Sequence, residues 1–177
     1  MMNLKKLMFF SAFSMTLFSC SENENKAKIS GVATSDNKYT TSLRDAAEKF
    51  SNAEHNHDTA FFNYVDSSFA VTARGATHVI PVSAFNNFRK GMTEQFMDTA
   101  MTITTTYDIK EVEAASSEPV WAGYDKGEVV QTTISKDGKY NRKITGPYYR
   151  AWRLDNGKWK CYHVVYMAFT CEGNDCK

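Results

Sequence analysis

The sequence predicts an α+β domain, with helices packed on one face of an antiparallel sheet, and three observations point there. Apolar residues recur at helical spacing up to about Asp98. From Met101 onward the pattern alternates with period two, in runs long enough for strands. Two hairpin signals, Lys136-Asp137-Gly138-Lys139 and Asp155-Asn156-Gly157-Lys158, join consecutive runs. Helices first and neighbouring strands afterwards describe an α+β architecture.

The chain is read from its N-terminus. Lys5 and Lys6 precede an apolar stretch, Leu7 to Leu17. That stretch falls short of the about 20 residues needed to cross a bilayer, so residues 1–19 have the layout of a secretory signal and are set aside. Residues 20–39 are polar and lack periodicity, which reads as a flexible tether. From Thr41, the residues Leu43, Ala46, Ala47, Phe50 and Ala53 form one helical face, with Ser42 as the expected N-cap. His55-Asn56-His57-Asp58 ends that helix, and Asp58 is expected to cap a second one over Thr59–Asp66. Ser67–Arg74 reads as extended, Gly75 begins a turn, and Ser83 opens a third helix carrying Phe85, Phe88, Met92 and Phe96. Four strands are then predicted: Met101–Ala114, Val120–Ile134, Ile144–Leu154 and Trp159–Phe169. Residues 171–177 are left as a C-terminal tail.

Composition bounds the function classes. The chain of 177 residues carries 21 Lys plus Arg against 20 Asp plus Glu, which excludes the basic surface of a nucleic-acid binder. Aromatic residues at 14% with three prolines indicate a folded, aromatic-rich core rather than a disordered chain. A domain of about 130 residues buries roughly two-thirds of its surface, so it needs no metal to fold. No cofactor is expected. His55 and His57 beside Asp58 lack a regular third ligand and read as a solvated helix end rather than a metal site. Cys171 and Cys176 are candidates for a small disulfide loop, and Cys161 reads as a buried thiol.

Counting the loop at Asn156-Gly157 as two or four residues sets a register. Leu154 then faces Trp159, Trp152 faces Cys161, Arg150 faces His163 and Tyr148 faces Val165, all on one side. Two tryptophans make that side the expected core and pocket. The other hairpin places Asp125 opposite Arg150, so Asp125, Arg150 and His163 would form a row across three strands. Such a row fits either a structural ion pair or a site for an anionic or carbonyl-bearing ligand, with His163 able to move a proton. The ligand pocket is thus assigned to Tyr148, Arg150, Trp152, Trp159 and His163. The catalytic residue is left open between Asp125 and His163, with Tyr107, Tyr148 or Arg150 as donors. The opposite face would carry Tyr149, Ala151, Tyr162, Val164 and Tyr166, unusually apolar for a solvent-facing sheet, to be covered either by a second copy in a homodimer or by the C-terminal tail or residues 21–40.

Two resemblances add to this reading. Leu17-Phe18-Ser19-Cys20 resembles the lipobox of bacterial lipoproteins. It implies that Cys20 is lipidated, becomes the mature N-terminus and holds the protein in the membrane. Ser21 resembles the residue of lipoproteins sent to the outer membrane, which implies a Gram-negative cell envelope, facing the periplasm or the surface. Gly123-Tyr124-Asp125-Lys126-Gly127-Glu128-Val129, together with Gly146-Pro147-Tyr148-Tyr149-Arg150-Ala151-Trp152 and Asp155-Asn156-Gly157-Lys158-Trp159, resembles SnoaL-like proteins of the nuclear transport factor 2-like superfamily. This likeness covers residues 40–170 and implies a cone-shaped fold, a curved sheet around helices. The fold hosts many activities, so function rests on the site. A lipid-anchored module that binds a small apolar or anionic ligand, or dimerises, is the first expectation. An enzyme resembling ketosteroid isomerase or a cyclase is the second, and an immunity or interaction protein the third.

Overall fold

A computed structural model describes residues 37–73, 75–116 and 120–176. The signal segment, Cys20 and the tether up to residue 36 lie outside the described residues.

Helix α1 spans Lys38–His55 and starts earlier than the sequence suggests. Asn37, not Ser42, is its N-cap, and its side chain accepts from the backbone N–H of Tyr39 and of Thr40 at 2.9 Å each. Ser42 lies inside the first turns, where its Oγ accepts from the Trp159 indole N–H at 3.0 Å. The anticipated apolar face is buried, joined by Thr40 and Ser51. Asp58 does act as a cap, accepting from the Ala60 N–H at 2.8 Å, but the element it caps is only a 3-10 turn, Thr59–Asn63. The turn stops there because strand β1 (Val65–Ala73) already takes up Asp66.

The remaining elements are β2 (Ala76–Ile80), a 3-10 turn at Val82–Ala84 that holds Ser83 and leads into α2 (Phe85–Phe96), β3 (Met101–Ala114), β4 (Ala122–Ser135), β5 (Asn141–Asp155), β6 (Lys158–Tyr166) and β7 (Thr170–Gly173). They build one sheet in the order β2-β1-β6-β5-β4-β3, with β7 continuing along β5 beyond the end of β6. Most neighbours are antiparallel, but β1 and β6 run parallel, so the sheet is mixed rather than purely antiparallel. A parallel pair needs a long connection, and β2 through β5 supply it. Between β6 and β7 the chain passes close against Gly146 of β5, where a Cβ would come within 2.4 Å of the Ala168 carbonyl oxygen. The tail expected after residue 170 is thus partly strand, and a Cys171–Cys176 disulfide closes its end.

The β5–β6 turn has Asn156 and Gly157 both at positive φ, the two-residue type that suits strand twist. Leu154 faces Trp159 and Trp152 faces Cys161, as expected. Both indoles point inward: Trp152 is 0% and Trp159 4% exposed. Just beyond them the register slips. Ala151, not Arg150, lies opposite His163, and Arg150 lies opposite Val164, because β6 carries a bulge at Tyr162. The slip turns Val164 and Tyr166 inward and His163 outward. α1 packs across the inner face, and its apolar stripe meets Val112, Ala114, Trp152, Trp159 and Cys161 in one core.

Candidate functional site

Alternation along β5 sends Tyr148, Arg150 and Trp152 to the inner face, and β4 delivers Asp125 directly opposite Arg150. Asp125 and Arg150 are both 0% exposed. The guanidinium engages the carboxylate from two nitrogens: Nε at 2.9 and 3.0 Å, Nη2 at 2.7 Å. Tyr148 donates to Oδ2 at 2.8 Å, and the Trp152 indole N–H donates to Oδ1 at 2.6 Å. From the helix side, Ser51 Oγ accepts from Arg150 Nη1 at 3.0 Å and donates its own proton to the Ala47 carbonyl at 2.8 Å. The guanidinium lies against the rings of Tyr107, Phe50, Tyr148 and Trp152, 4.5 to 5.7 Å from their centroids. Burial pulls the Arg150 pKa down, but the charge of Asp125 outweighs it and holds the cation more firmly protonated. Burial likewise pushes the Tyr148 phenol up.

This cluster is closed. Every polar atom of Asp125 and Arg150 has a partner, and both side chains are fully buried. Asp125 therefore has no free lone pair facing a reactant. Of the pocket assigned from sequence, Tyr148, Arg150, Trp152 and Trp159 are inside, as expected. His163 is not. It sits on the outer face, its Nε2 2.8 Å from Thr72 Oγ1, and it cannot join a row with Asp125 and Arg150. The bulge at Tyr162 is the physical reason.

A second group, which sequence reasoning does not assemble, lies nearer the surface. Tyr107 donates to Glu54 Oε2 at 3.0 Å, and its hydroxyl is 2.9 Å from that of Tyr166. All three residues are half-buried. Burial raises the Glu54 pKa, opposed by the Tyr107 hydrogen bond and by the more distant Arg150 charge. Burial also raises the Tyr107 and Tyr166 phenols, with the Glu54 charge adding to both. Tyr107 touches both groups, since its ring packs edge-on to Tyr148 at 4.9 Å. A signal for Glu54 and Ser51 was present: Ser51 stands four and Glu54 seven positions after Ala47, on the buried face of α1.

The other singled-out residues have structural partners. His55 donates to the Thr105 carbonyl at 3.0 Å, and His57 to that of Ile103 while stacking on Phe96. The histidines thus tie the end of α1 to the edge strand β3 instead of facing solvent freely. Cys161 is buried and unpaired, its thiol pKa raised by burial. Among the described residues no group of three His, Cys, Asp or Glu side chains could hold a metal ion. Among the described residues, two open depressions flank these elements. One, about 240 Å³, is lined by Lys49, Asn52, Asn56 and Tyr64. The other, about 430 Å³, is lined by Lys110, Lys126, Glu128 and Met167 and reaches the edge of Tyr148.

No family model matches the chain, and no curated protein matches it. Solved structures do. A conserved protein from Planctomyces limnophilus is similar with a TM-score of 0.57 at 12% identity, over 75% of this chain and 96% of that one. A ketosteroid isomerase-like protein from Erwinia carotovora atroseptica is similar with a TM-score of 0.55 at 14% identity, over 75% and 98%. An NTF2-like superfamily protein from Salmonella enterica serovar Typhimurium is similar with a TM-score of 0.52 at 14% identity, over 73% and 89%. At these identities the likeness is one of fold, and the chain has the α+β cone of nuclear transport factor 2-like proteins.

Proposed function

We propose that this is a lipid-anchored protein of a Gram-negative envelope, held in the outer membrane through Cys20, whose domain is a binding or dimerisation module. One observation carries the reading: the Arg150 guanidinium, clamped by Asp125, is fully buried on the inner face of the sheet. A ligand entering there would have to displace a fully paired cation, so contacts fall to the mouth and the outer face of the sheet. That outer face presents Tyr149 stacked on Tyr124 at 5.3 Å, with Ala151, Tyr162 and Val165 beside them. Tyr162 is 38% exposed. An aromatic face of this kind suits a twofold contact with a second copy. Native mass spectrometry of the protein purified from its host membrane tests the reading. A dimer mass that collapses to monomer in Tyr162→Glu is expected, whereas a monomer at all concentrations with no retained ligand overturns it. Diacyl and N-acyl mass on the peptide beginning at Cys20 tests the anchor separately.

A second reading is favoured by the Glu54–Tyr107–Tyr166 group. A half-buried carboxyl that keeps its proton more readily, bonded to a phenol beside a second phenol, can exchange a proton and donate to a developing oxyanion. This is the enzyme alternative, with Glu54 in place of Asp125 or His163. Exchange of the α-protons of a cyclic ketone into D₂O, followed by NMR, would be accelerated by the protein and lost in Glu54→Gln. No acceleration removes this alternative for carbonyl substrates.

A further inference from the structure

We infer that the pole of the domain where α1 begins rests on the bilayer surface, with Trp121 seated at the boundary between headgroups and acyl chains. The inference rests on the proposed lipid anchor and extends it from a tether to a defined face.

Several contacts gather at this pole. Thr40 Oγ1 accepts from the Ala114 N–H at 3.3 Å, which brings the start of α1 to the end of β3. Trp159 at the start of β6 reaches Ser42, and Leu154 at the end of β5 donates its N–H to the Trp121 carbonyl at 3.0 Å. Ala115 donates to the Ala122 carbonyl at 3.0 Å, closing the frame on the other side of Trp121. The Trp121 carbonyl and that of the next residue, Ala122, are therefore held by the sheet, yet Trp121 is 68% exposed. The other two indoles are buried in the core. The ordered carbonyl anchors the residue while its large amphipathic ring is displayed to the outside. Indoles favour the membrane interface, where the ring meets chains and the N–H meets headgroups.

The chain itself supplies the occupant. Sixteen residues separate Cys20 from Asn37, and they join the domain at this pole and no other. Their fully extended reach is no more than about 60 Å. A lipidated Cys20 thus keeps Trp121 close to a bilayer, at an effective concentration where one weak contact suffices. Exposed Lys38 and Lys158 begin α1 and β6 at the same pole, and exposed Asp155 ends β5 there, so the contact depends on the ring more than on charge. Zwitterionic and anionic membranes should therefore serve alike.

The test uses the full lipidated chain, reconstituted into phosphatidylcholine vesicles with or without acyl chains brominated near the headgroup. Flotation reports anchoring, and tryptophan emission reports depth. The expected result is flotation with a blue-shifted component of the emission that brominated lipid quenches, and loss of that component in Trp121→Phe with flotation unchanged. Flotation without quenching overturns the face while the anchor stands, and hands the indole to a protein partner. Quenching that persists in Trp121→Phe also overturns it. Failure to float, with no acyl mass on Cys20, removes the anchor and this inference with it.

Discussion

The deep and shallow polar groups of the cone use the same side-chain types and behave differently. Deep inside, Asp125 meets a cation, a phenol and an indole, and all of its acceptor sites are engaged. At the mouth, Glu54 meets a phenol but no cation in direct contact. The first arrangement is costly to desolvate and costly to break, and it leaves nothing over for a ligand. The second leaves a carboxyl whose proton is held more tightly than usual and two phenols within reach of solvent. A short step along the inner face separates a fully paired ion pair from a carboxyl–phenol group with no cation in contact.

The sharpest way to break the comparison is Arg150→Met, which strands the Asp125 carboxylate in the interior. A loss of about 3–5 kcal/mol is expected in urea unfolding, enough to leave much of the protein unfolded. Combining it with Asp125→Leu should recover most of that loss, because the unpaired charge is gone. A double variant as unstable as the single one would show that packing, not charge, dominates. Trp152→Phe comes next, at about 2 kcal/mol, from a lost donor to Asp125 and a small void. At the mouth, Tyr107→Phe should cost only about 1 kcal/mol, because water can replace the lost hydroxyl.

The smallest effect has the opposite sign. A raised Glu54 pKa means that the folded state binds the proton more tightly than the unfolded chain does. Its contribution is fully present below the ordinary carboxylate pKa and is lost as pH rises through the raised value. Glu54→Gln, which cannot ionise and still accepts from Tyr107, should therefore be modestly more stable than the parent at neutral pH. The gain should vanish in acid. Thermal unfolding at pH 7 and pH 4 checks this, and a gain that grows in acid would refute the assignment of burial as the cause.

The fold class, the two hairpins, the inward tryptophans and the Asp125–Arg150 pairing were all legible in the sequence. Each rests on period-two alternation or on a turn with a strong local signature, as at Asn156-Gly157. The bulge at Tyr162 was not legible, since nothing in Cys161-Tyr162-His163-Val164 marks an extra residue. That single residue moved His163 out of the site and brought Val164 and Tyr166 in. The parallel pairing of β1 with β6 was also hidden, because local pattern gives the strands but not the partners of distant ones. The helix start at Asn37 was missed for a simpler reason: Ser42 has the same capping chemistry, and only the burial of Thr40 separates the two.

The run of β5 has a mechanical consequence. Its 15 residues extend about 50 Å, from the pole at which α1 starts to the opposite tip, where β7 pairs with Arg142 to Thr145. Because β7 runs toward that tip, a pull between Cys20 and a partner gripping the disulfide loop would load the β5–β7 hydrogen bonds in shear, all at once, instead of peeling them one by one. A domain strung this way would resist tension best along its longest axis.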